Sequence, residues 1–377
     1  MIREIKKPAA KRRKSKNSRK NRAPFGVRIY NSAVIIFAVA LAVAYLSVYI
    51  NPRVMWLPMF FGLYFVPIAL LNILLFILGI LLRRATFLIC LVALVPTLIY
   101  SDQFLKIGNE QQVSERDGVK IMTYNVGGFR AFGKGVSNTD VVQRVTSLIE
   151  EQNPDIVCIQ ECRVRDTAKL NTVLPGNYPY RHFHFFRGKS YFGNVTLSRF
   201  PIVGQETVTF PKSTNLFLRS DIKLGEGTVS VFNCHLESYS ISFTSVVKKL
   251  SNRDQFADEF ILLHEHIRDA SLKRTEQVDK LAGMSAGSPY PSIICGDFND
   301  TPVSYAYHTL SKDRKDSFAE AGSGFSSTYS ALWPILRIDY VLVPDGVDVL
   351  EHSVTRIGLS DHYPVTTKIV LNDEYGN

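Results

Sequence analysis

The chain has 377 residues and a formal net charge of +10 at pH 7. Residues 1–28 hold twelve Lys or Arg and one acid, a local charge of +11, which leaves −1 for the rest of the chain. The near-neutral remainder disfavours a domain that binds duplex nucleic acid through a broad basic face. The length accommodates one large domain with an appendage, or two modest domains.

The N-terminal segment 1–30 is predicted to be a disordered basic tail. Its charge has two interpretations, a nucleic-acid-binding arm or a cytoplasmic flank of a membrane segment. The second is favoured, because uncharged apolar sequence follows directly.

Three uncharged apolar stretches come next, at residues 32–50, 54–82 and 85–100. A membrane-spanning helix needs about 20 apolar residues, with about 17 as the lower limit. The first stretch meets this length, the second can span with tilt, and the third is marginal. Pro58 and Pro67 could break the second stretch. Two spans made from it would each be too short, so we expect about three transmembrane helices in total.

These stretches define a predicted membrane region over residues 31–101, and two other interpretations are weaker. Helices of a soluble core are disfavoured by three nearly adjacent uncharged runs. A cleaved signal peptide would explain the first run, since Ala42-Val43-Ala44 resembles a small-residue cleavage site. The long basic flank and the further apolar runs favour a retained anchor.

The orientation follows from charge, because Lys and Arg near membrane-spanning helices stay on the cytoplasmic side. The basic tail, together with Arg83 and Arg84 between the second and third stretches, places the N-terminus in the cytoplasm. Three spans then put residues from 102 onward outside the cytoplasm, at a plasma or inner membrane. If residues 85–100 do not span, this placement reverses.

The five cysteines indicate buried thiols rather than a metal site. No CxxC spacing occurs, so zinc is not expected. Four of them lie in or beside apolar runs of the soluble part, and their even number does not establish disulfides. The cysteines are Cys90, Cys158, Cys162, Cys234 and Cys295.

Residues 102–118 are predicted to be a polar linker, residues 119–371 a soluble domain, and residues 372–377 a tail. Short runs rich in Val, Ile, Thr, Tyr and Phe recur between turn residues, as strands require. The pattern predicts a mixed α/β domain with many strands. The predicted strands are VKIMTYNV, DIVCIQE, YFGNVTLS, PIVGQETVTF, LFLRSDIKL, TVSVFNCHL, PSIICGDF, IDYVLV and VTTKIVL, and the predicted helices cover residues 139–152, about 254–284 and 303–311.

Several predicted strands end in polar clusters. An acid at a strand end is most often a turn residue or a helix cap, and a single histidine is most often a packing residue. The whole set of carboxylates, amides and histidines at strand ends is more specific than any member. In chain order these groups are Asn125, Gln160-Glu161, His235 with Glu237, Asp297 with Asn299, Asp339, and Ser360-Asp361-His362.

This order resembles the endonuclease/exonuclease/phosphatase superfamily, to which pancreatic deoxyribonuclease, abasic-site endonucleases, bacterial sphingomyelinases and inositol polyphosphate 5-phosphatases belong. The resemblance covers about residues 119–371. It implies two packed mixed β-sheets flanked by helices, a four-layer sandwich like that of DNase I. It also implies hydrolysis of phosphate esters that depends on a divalent metal, Mg²⁺ or alternatively Mn²⁺.

The resemblance further implies a metal and phosphate site. Glu161 would hold the metal, and Asn125 and Asp361 would lie near the metal or the phosphate. Asn299 would donate a hydrogen bond to a phosphate oxygen. A hard cation bound by one or two carboxylates neutralises the charge that develops on phosphoryl oxygens.

The catalytic groups carried over from the family are two acids and two histidines. Asp297 would activate or orient the attacking water, in an environment that nearby cations keep ionised. His362 would contact the phosphate, and Asp339 would orient His362 and raise its pKa. His235 matches the family's other active-site histidine. Gly296, just before Asp297, would let the backbone turn without steric cost.

One segment departs from the family pattern. Residues 238–273 form a longer gap than expected between the HLE motif and the Arg274-x-x-Gln277 pair. The gap contains apolar residues at helical spacing, which indicate a lid or membrane-facing element, or an amphipathic helix packed on the domain; the second is favoured. These residues are Phe256, Phe260, Leu263 and Ile267.

The sequence thus predicts a membrane-anchored, metal-dependent phosphohydrolase. A lipid-headgroup phosphodiester is the leading substrate class and extracytoplasmic nucleic acid the second, and a phosphomonoester remains open. Loops typical of abasic-site endonucleases or inositol phosphatases are not apparent. The alternative is a non-catalytic binding or scaffold domain on the same fold. A transporter is disfavoured, because the apolar stretches carry no charge. The sequence makes no prediction of the oligomeric state.

Overall fold

The structure is a computed structural model that describes residues 24–107, 117–130, 137–167, 170, 173–188, 190–239 and 256–371. Four predicted features lie wholly or partly outside the described residues: the basic tail up to residue 23, the linker at 108–116, the insertion at 240–255 and the C-terminal tail. Helices and strands are numbered below in chain order.

The apolar N-terminal region forms five helices: α1 (Phe25–Ser47), α2 (Leu57–Leu63), α3 (Phe65–Leu81), α4 (Phe87–Leu94) and α5 (Thr97–Phe104). Within the described residues, only α1 is long and apolar enough to cross a membrane by itself. The α2–α3 pair is bent by 69° and the α4–α5 pair by 56°. Counting each bent pair as one span gives up to three.

The second apolar stretch is therefore a bent pair and not one straight helix. The α2 helix ends at Leu63, and α3 begins at Phe65 after Tyr64, whose backbone is not helical. Pro58 and Pro67 lie in the first turns of α2 and α3. Proline is tolerated there because its missing N–H is not needed by the first turn. Each proline thus marks the beginning of a helix.

The soluble domain contains two six-stranded sheets. The first has the spatial order β13-β14-β2-β3-β5-β4, and the second has the order β10-β12-β9-β8-β7-β6. The first comprises β2 (Val119–Asn125), β3 (Ile156–Val164), β4 (Tyr180–Arg187), β5 (Tyr191–Ser198), β13 (Val347–Val354) and β14 (Val365–Leu371). The second comprises β6 (Ile202–Thr209), β7 (Leu216–Leu224), β8 (Gly227–His235), β9 (Ser292–Asp297), β10 (Arg314–Asp316) and β12 (Asp339–Pro344).

Each sheet has one parallel pair near its centre, β2 with β3 and β8 with β9, while the remaining pairs are antiparallel. A strand buried on both faces needs continuous apolar sequence, and the run Ser292–Asp297 is buried at every position. Because both parallel pairs lie near the centres of their sheets, their carboxyl ends lie near the middle of the sandwich.

Helices cover the outer faces of both sheets, so the domain has four layers. The side of the first sheet is covered by α6 (Asn138–Gln152), and the side of the second by α7 (Phe256–Ala286) and α8 (Tyr305–Ser311). A third core lies between the sheets and contains Ile121, Cys158, Val231, Ile293 and Val365. This arrangement confirms the predicted fold class. The shorter helices are α9 (Ser317–Ala321) and the 3-10 turns Gly127–Phe129 and Ser330–Leu332.

The beginning of the predicted linker is ordered, which corrects that expectation. Its first residues complete α5, and Leu105–Lys106 (β1) pairs with Gly324–Phe325 (β11). This short ladder attaches the end of α5 to the soluble domain. All five cysteines are buried with free thiols, as the sequence indicates.

The N-terminal helices also contact the soluble domain directly. Val303 is fully buried in a cluster with Leu41, Ala44 and Val48 of the α1 region. A Cβ atom at Gly62 of α2 would collide with the carbonyl oxygen of Val303. Only glycine permits this approach, so the backbone of α2 packs directly against the backbone of the loop that follows β9.

Candidate active site

The polar residues predicted at strand ends meet at one edge of the sandwich. Asn125 lies at the end of β2, level with Gln160 of β3. His235 lies at the end of β8, level with Asp297 of β9. Because parallel strands end at the same edge, each pair contributes two neighbouring groups. Asp339 begins β12 directly opposite Asp297.

The backbone adopts rare conformations at three of these positions. Glu161 has φ 54° at an irregularity in the β3–β5 ladder, and such bulges redirect side chains. Asn299 has φ 53° and Gly296 has φ 133°. A Cβ at Gly296 would collide with the backbone oxygen of Cys234, so the predicted need for glycine there is met. Strained backbone of this kind clusters at functional sites.

Asp297 occupies the centre of the cluster and is 1% exposed. Its Oδ2 accepts hydrogen bonds from Asn125 Nδ2 at 2.9 Å and Asn299 Nδ2 at 3.1 Å. Its Oδ1 accepts one from the Asn299 backbone N–H at 2.8 Å. The Nε2 atoms of His235 and His362 lie 3.9 Å and 3.8 Å from Oδ2. Four separate chain segments thus converge on one carboxylate.

Burial raises the pKa of Asp297 to about 6, and the nearby Asp339 charge adds to the rise. The charges of His362 and His235, and the hydrogen bond from Asn125, oppose it. The predicted cationic surroundings are present, but burial outweighs them. A carboxylate with this pKa is mostly ionised at neutral pH and accepts a proton readily, which suits a general base.

His362 and Asp339 form a buried pair. His362 Nδ1 lies 2.9 Å from Asp339 Oδ2, and Thr328 Oγ1 accepts the backbone N–H of Asp339 at 3.1 Å. Burial lowers the pKa of His362, but the charges of Asp339 and Asp297 outweigh it and raise that pKa to about 10. His362 is therefore a cation at neutral pH, with Nδ1 bonded to Asp339 and Nε2 directed toward Asp297.

Glu161 is more exposed than Asp297, since its side chain is 29% exposed. Its Oε1 lies 3.3 Å from Asn125 Nδ2 and 3.5 Å from His235 Nε2. Asp361 Oδ1 accepts a hydrogen bond from Ser360 Oγ at 3.2 Å, and the same hydroxyl group lies 2.8 Å from the carbonyl oxygen of Asn125. Asp361 and Asn125 are therefore joined through Ser360.

The pKa of Tyr329 responds to three carboxylates of the site. Burial raises its pKa, and the charges of Asp361, Asp297 and Glu161 raise it further. The negative charges of these three carboxylates thus act together on Tyr329, whose ring meets the ring of His362 edge-on at 5.3 Å. Concentrated negative charge lined by oxygen atoms is the donor chemistry that Mg²⁺ and Mn²⁺ prefer, so these residues fit a divalent cation.

The ligand atoms that lie closest together are not those that the resemblance implies. Among the described residues, Asp297, Asp339 and His362 form a group within 4.8 Å that could hold a metal. His362 is protonated and bonded to Asp339, and a protonated imidazole cannot ligate a metal. The oxygen atoms of Glu161 and Asp361 are therefore the better candidates for metal ligands. The buried Asp339 Oδ1 has no hydrogen-bond partner among the described residues.

The second half of α7 supports two of the strand ends. Arg274 Nε donates to the Glu237 carbonyl at 2.8 Å, and its Nη1 donates to Asp300 Oδ2 at 2.9 Å. Gln277 Oε1 accepts the Glu237 N–H at 2.6 Å. Arg274 therefore links the loop after His235 to the loop after Asp297.

A buried polar network behind the site joins the two sheets, and sequence reasoning missed most of it. Gln160 Nε2 donates to Asn233 Oδ1 at 2.8 Å and to Thr123 Oγ1 at 3.0 Å. Asn233 Nδ2 donates to the Val195 carbonyl at 2.9 Å. The available signal was the polar Asn233 between the apolar residues of the run VFNC. Tyr329 was also missed, because nothing in its local sequence distinguishes it.

A two-sheet α/β sandwich whose polar strand ends surround a buried carboxylate and an Asp–His pair defines a class of phosphoesterases. Residues 122–362 match the model of the endonuclease/exonuclease/phosphatase family, and the chain belongs to that family. Its members are phosphoesterases and nucleases. Residues 28–104 match the model of a domain of unknown function. Comparison with curated proteins gives no match.

Solved structures are similar to this chain. An endonuclease/exonuclease/phosphatase from Beutenbergia cavernae is 22% identical with a TM-score of 0.51, covering 68% of this chain and 72% of its own. The human Nocturnin catalytic domain with bound sulfate is 17% identical (TM-score 0.48, covering 68% and 95%). A mannosyl-6-phosphatase from Bacteroides thetaiotaomicron is 16% identical (TM-score 0.45, covering 67% and 100%). The first of these likenesses shows the fold alone.

Proposed function

We propose that the protein is a membrane-anchored phosphoesterase that uses a divalent cation to hydrolyse a phosphate ester. One observation carries the proposal. The buried Asp297, with a pKa near neutrality, lies beside a cationic His362 that Asp339 orients. A base and a cationic donor side by side are what the attack of water on an anionic phosphoryl group requires.

Each residue has a distinct role in this mechanism. Asp297 accepts a proton from the attacking water. His362 donates its Nε2–H to a phosphoryl oxygen, and this interaction strengthens as charge develops on that oxygen. His235 Nε2 lies between Glu161 and Asp297 and donates to a second oxygen. When bound, Mg²⁺ held by Glu161 with Asn125 and Asp361 supplies Lewis-acid charge neutralisation.

Asn299 has a different role from the one that the resemblance implies. Its side-chain amide donates to Asp297 Oδ2 at 3.1 Å and to the Leu236 carbonyl at 2.9 Å. Both hydrogens of the amide are used, so none remains for a phosphate oxygen. We propose Asn299 as a positioning residue that fixes the carboxylate of Asp297.

We propose the phosphodiester of a bilayer lipid headgroup as the substrate class. Asp297 ends β9 and Asn299 lies in the loop that follows, and four residues after Asn299 Val303 is buried among the N-terminal helices. This contact holds the catalytic edge close to the end of α1. With three spans and a cytoplasmic N-terminus, the site faces the outer side of the membrane. Nucleic acid cleavage is the competing outcome.

The test uses the full chain reconstituted in vesicles. Turnover is measured on phospholipids, single- and double-stranded DNA, RNA and inositol phosphates, with Mg²⁺ and with chelator. We expect chelator-sensitive cleavage of phospholipid. Rapid cleavage of nucleic acid with intact phospholipid would refute the substrate class, and no cleavage of any class would refute the proposed activity.

The metal assignment is tested with Glu161→Gln, which removes a charge and keeps the shape. We expect a loss of turnover of roughly 10²–10³-fold at limiting Mg²⁺, the magnitude of one strong electrostatic contribution. Glu206→Gln is the control, because Glu206 makes only a surface ion pair with Arg219. Near-normal turnover of Glu161→Gln would exclude Glu161 as a metal ligand.

A further inference from the structure

The two halves of α7 have different surroundings. From Ile267 onward the helix packs on the second sheet through Val278 and Leu281. In the first half, the apolar side chains of Phe260, Ile261 and Leu262 are 44%, 56% and 58% exposed. Only the second half of α7 is therefore packed on the domain as an amphipathic helix, as expected. The first half leaves apolar side chains exposed.

The exposed half of α7 lies beside α2. The ring of Phe60 lies 5.1 Å from that of His264, and Tyr64 Oη lies 3.0 Å from His264 Nε2. The guanidinium group of Arg268 lies over the ring of Trp56 at 5.9 Å. These contacts join α7 to α2, to Tyr64 just after α2, and to the connection between α1 and α2.

That connection exposes apolar side chains of its own, including Val54 at 85%. Ring contacts run from Trp56 through Phe60 and His264 to Phe260 and Phe256, so the connection and one side of α7 form a single apolar area, which we call the interfacial surface. Its exposed members are Val54, Met55, Trp56, Leu57, Phe256 and Phe260.

We propose that the interfacial surface inserts into the headgroup layer of the bilayer that the N-terminal helices occupy, an inference that rests on the proposed membrane anchoring. The connection between α1 and α2 directly follows Ser47, where the apolar α1 ends. A segment at the end of a spanning helix lies at headgroup depth, where Trp and Tyr are enriched. Helices with Phe and Leu on one face lie in the same plane, buried about 5–10 Å.

The charges of α7 agree with a bilayer as the occupant. Asp258, Glu265 and Asp269 are exposed on the side of the helix opposite Phe256 and Phe260, so the polar side of the helix stays in water. Further along, Arg274 of the same helix is bonded to Asp300, which follows Asn299. Insertion of the first half of α7 therefore fixes the height of the catalytic edge above the lipid phosphates.

The test places single tryptophans in the full chain and measures their quenching by phospholipids brominated on the upper acyl chain. Trp56→Phe and Trp333→Phe remove the two native tryptophans. The reporter is Phe260→Trp, with Phe256→Trp as a second variant in case the first does not fold. Ile36→Trp, exposed on α1, reports anchoring, and Phe183→Trp, exposed on β4, is the control in water.

We expect quenching at positions 260 and 256 to be roughly threefold or more above that at 183, as a depth of about 5–10 Å requires. Quenching at 36 together with values at 260 and 256 equal to that at 183 would overturn the interfacial surface alone. Absence of quenching at 36 would overturn the anchoring and with it this inference. Phosphoesterase turnover, measured on the same vesicles, reports separately on the proposed activity.

Discussion

Two buried clusters in the soluble domain each contain an aspartate and a histidine but have opposite electrostatics. The catalytic cluster consists of Asp297, Asp339 and His362. The second, the Asp316 cluster, consists of Asp316, Arg337 and His352. Asp316 is bound by both terminal nitrogens of Arg337, at 2.8 Å and 2.6 Å, and accepts further hydrogen bonds from Tyr307 and from the backbone of Phe318.

The arginine decides the difference between the clusters. Burial raises the pKa of Asp316, but the charge and hydrogen bonds of Arg337 outweigh it and lower that pKa. Asp297 has no arginine, and its pKa rises to about 6. A buried acid that is fully paired is structural, whereas one held beside other acids keeps a proton affinity that chemistry can use.

The histidines show the same contrast. Burial lowers the pKa of both, and for His352 the charge of Arg337 lowers it further, to about 3. For His362 two carboxylates reverse the effect and raise the pKa to about 10. His352 is neutral and bonded to Ser317 Oγ at 2.9 Å, while His362 is a cation directed into the site.

The largest expected effect is a difference in turnover between variants of His362 and His352. His362→Ala should lower kcat by roughly 10³–10⁴-fold, because it removes a cation that binds the developing phosphoryl charge. His352→Ala, the matched control, should change kcat per folded molecule by about twofold or less. Steady-state kinetics measure both. A change confined to KM in His362→Ala would mean that His362 only binds substrate.

The next effect separates the clusters by stability. Arg337→Met leaves Asp316 buried without its cation and should lower the free energy of unfolding by about 3–5 kcal/mol. Denaturant unfolding of the chain in detergent measures the change. Glu206→Met, which removes the exposed ion pair between Glu206 and Arg219, is the control. An equal loss in both variants would remove the distinction between a buried structural pair and a surface pair.

Asp297→Asn should abolish turnover and remove a loss of stability of about 1–3 kcal/mol that the native protein shows between about pH 4 and pH 7. The pKa of Asp297 is raised from 3.8 to about 6, so burial penalises the ionised acid. In the native protein the stability contributed by the protonated acid is fully present below pH 3.8 and is lost as pH rises through about 6. Unfolding curves of the variant should lack that loss, and an equal loss in the variant would contradict the assignment.

The smallest effect is the pH dependence that His352 contributes. Its pKa is lowered in the folded state, so the unfolded chain binds the proton first and the fold loses stability as pH falls below 6.5. His352→Gln should remove about 1–2 kcal/mol of that loss between pH 6.5 and pH 5. Unfolding curves at both pH values provide the comparison. Identical pH dependence in the variant and the native protein would show that His352 does not titrate.

The fold was predictable where strands are buried in the middle of a sheet. The bounds of β5, β7 and β14 agree with the predicted runs. The long strands that were missed, β4 and β13, are at sheet edges, as is the shorter β10. The edge strand β4 has polar and half-exposed positions, YRHFHFFR, so neither periodicity nor hydrophobicity reveals it. The edge strand β6 was predicted, within the run PIVGQETVTF.

The convergence of the predicted polar residues at one edge could be predicted from the sequence, but their contacts could not. The carboxyl ends of parallel strands bring Asn125 and Asp297 to this edge, where the antiparallel strands β12 and β14 begin. The use of both Asn299 hydrogens, and the rise in the pKa of Asp297, depend on burial that only tertiary packing creates. The pairing of Asp316 with Arg337 crosses 21 residues and has no local pattern.

The five buried thiols have a practical consequence for chemical labelling. Thiolate is the reactive form of cysteine, and burial raises the pKa of Cys162 and Cys234. None of the five is exposed, so the native fold offers maleimides no accessible target. A cysteine introduced on the surface of the soluble domain is then the one thiol to react. An impermeant maleimide added to intact cells therefore reports which compartment contains that surface, without prior removal of the native cysteines.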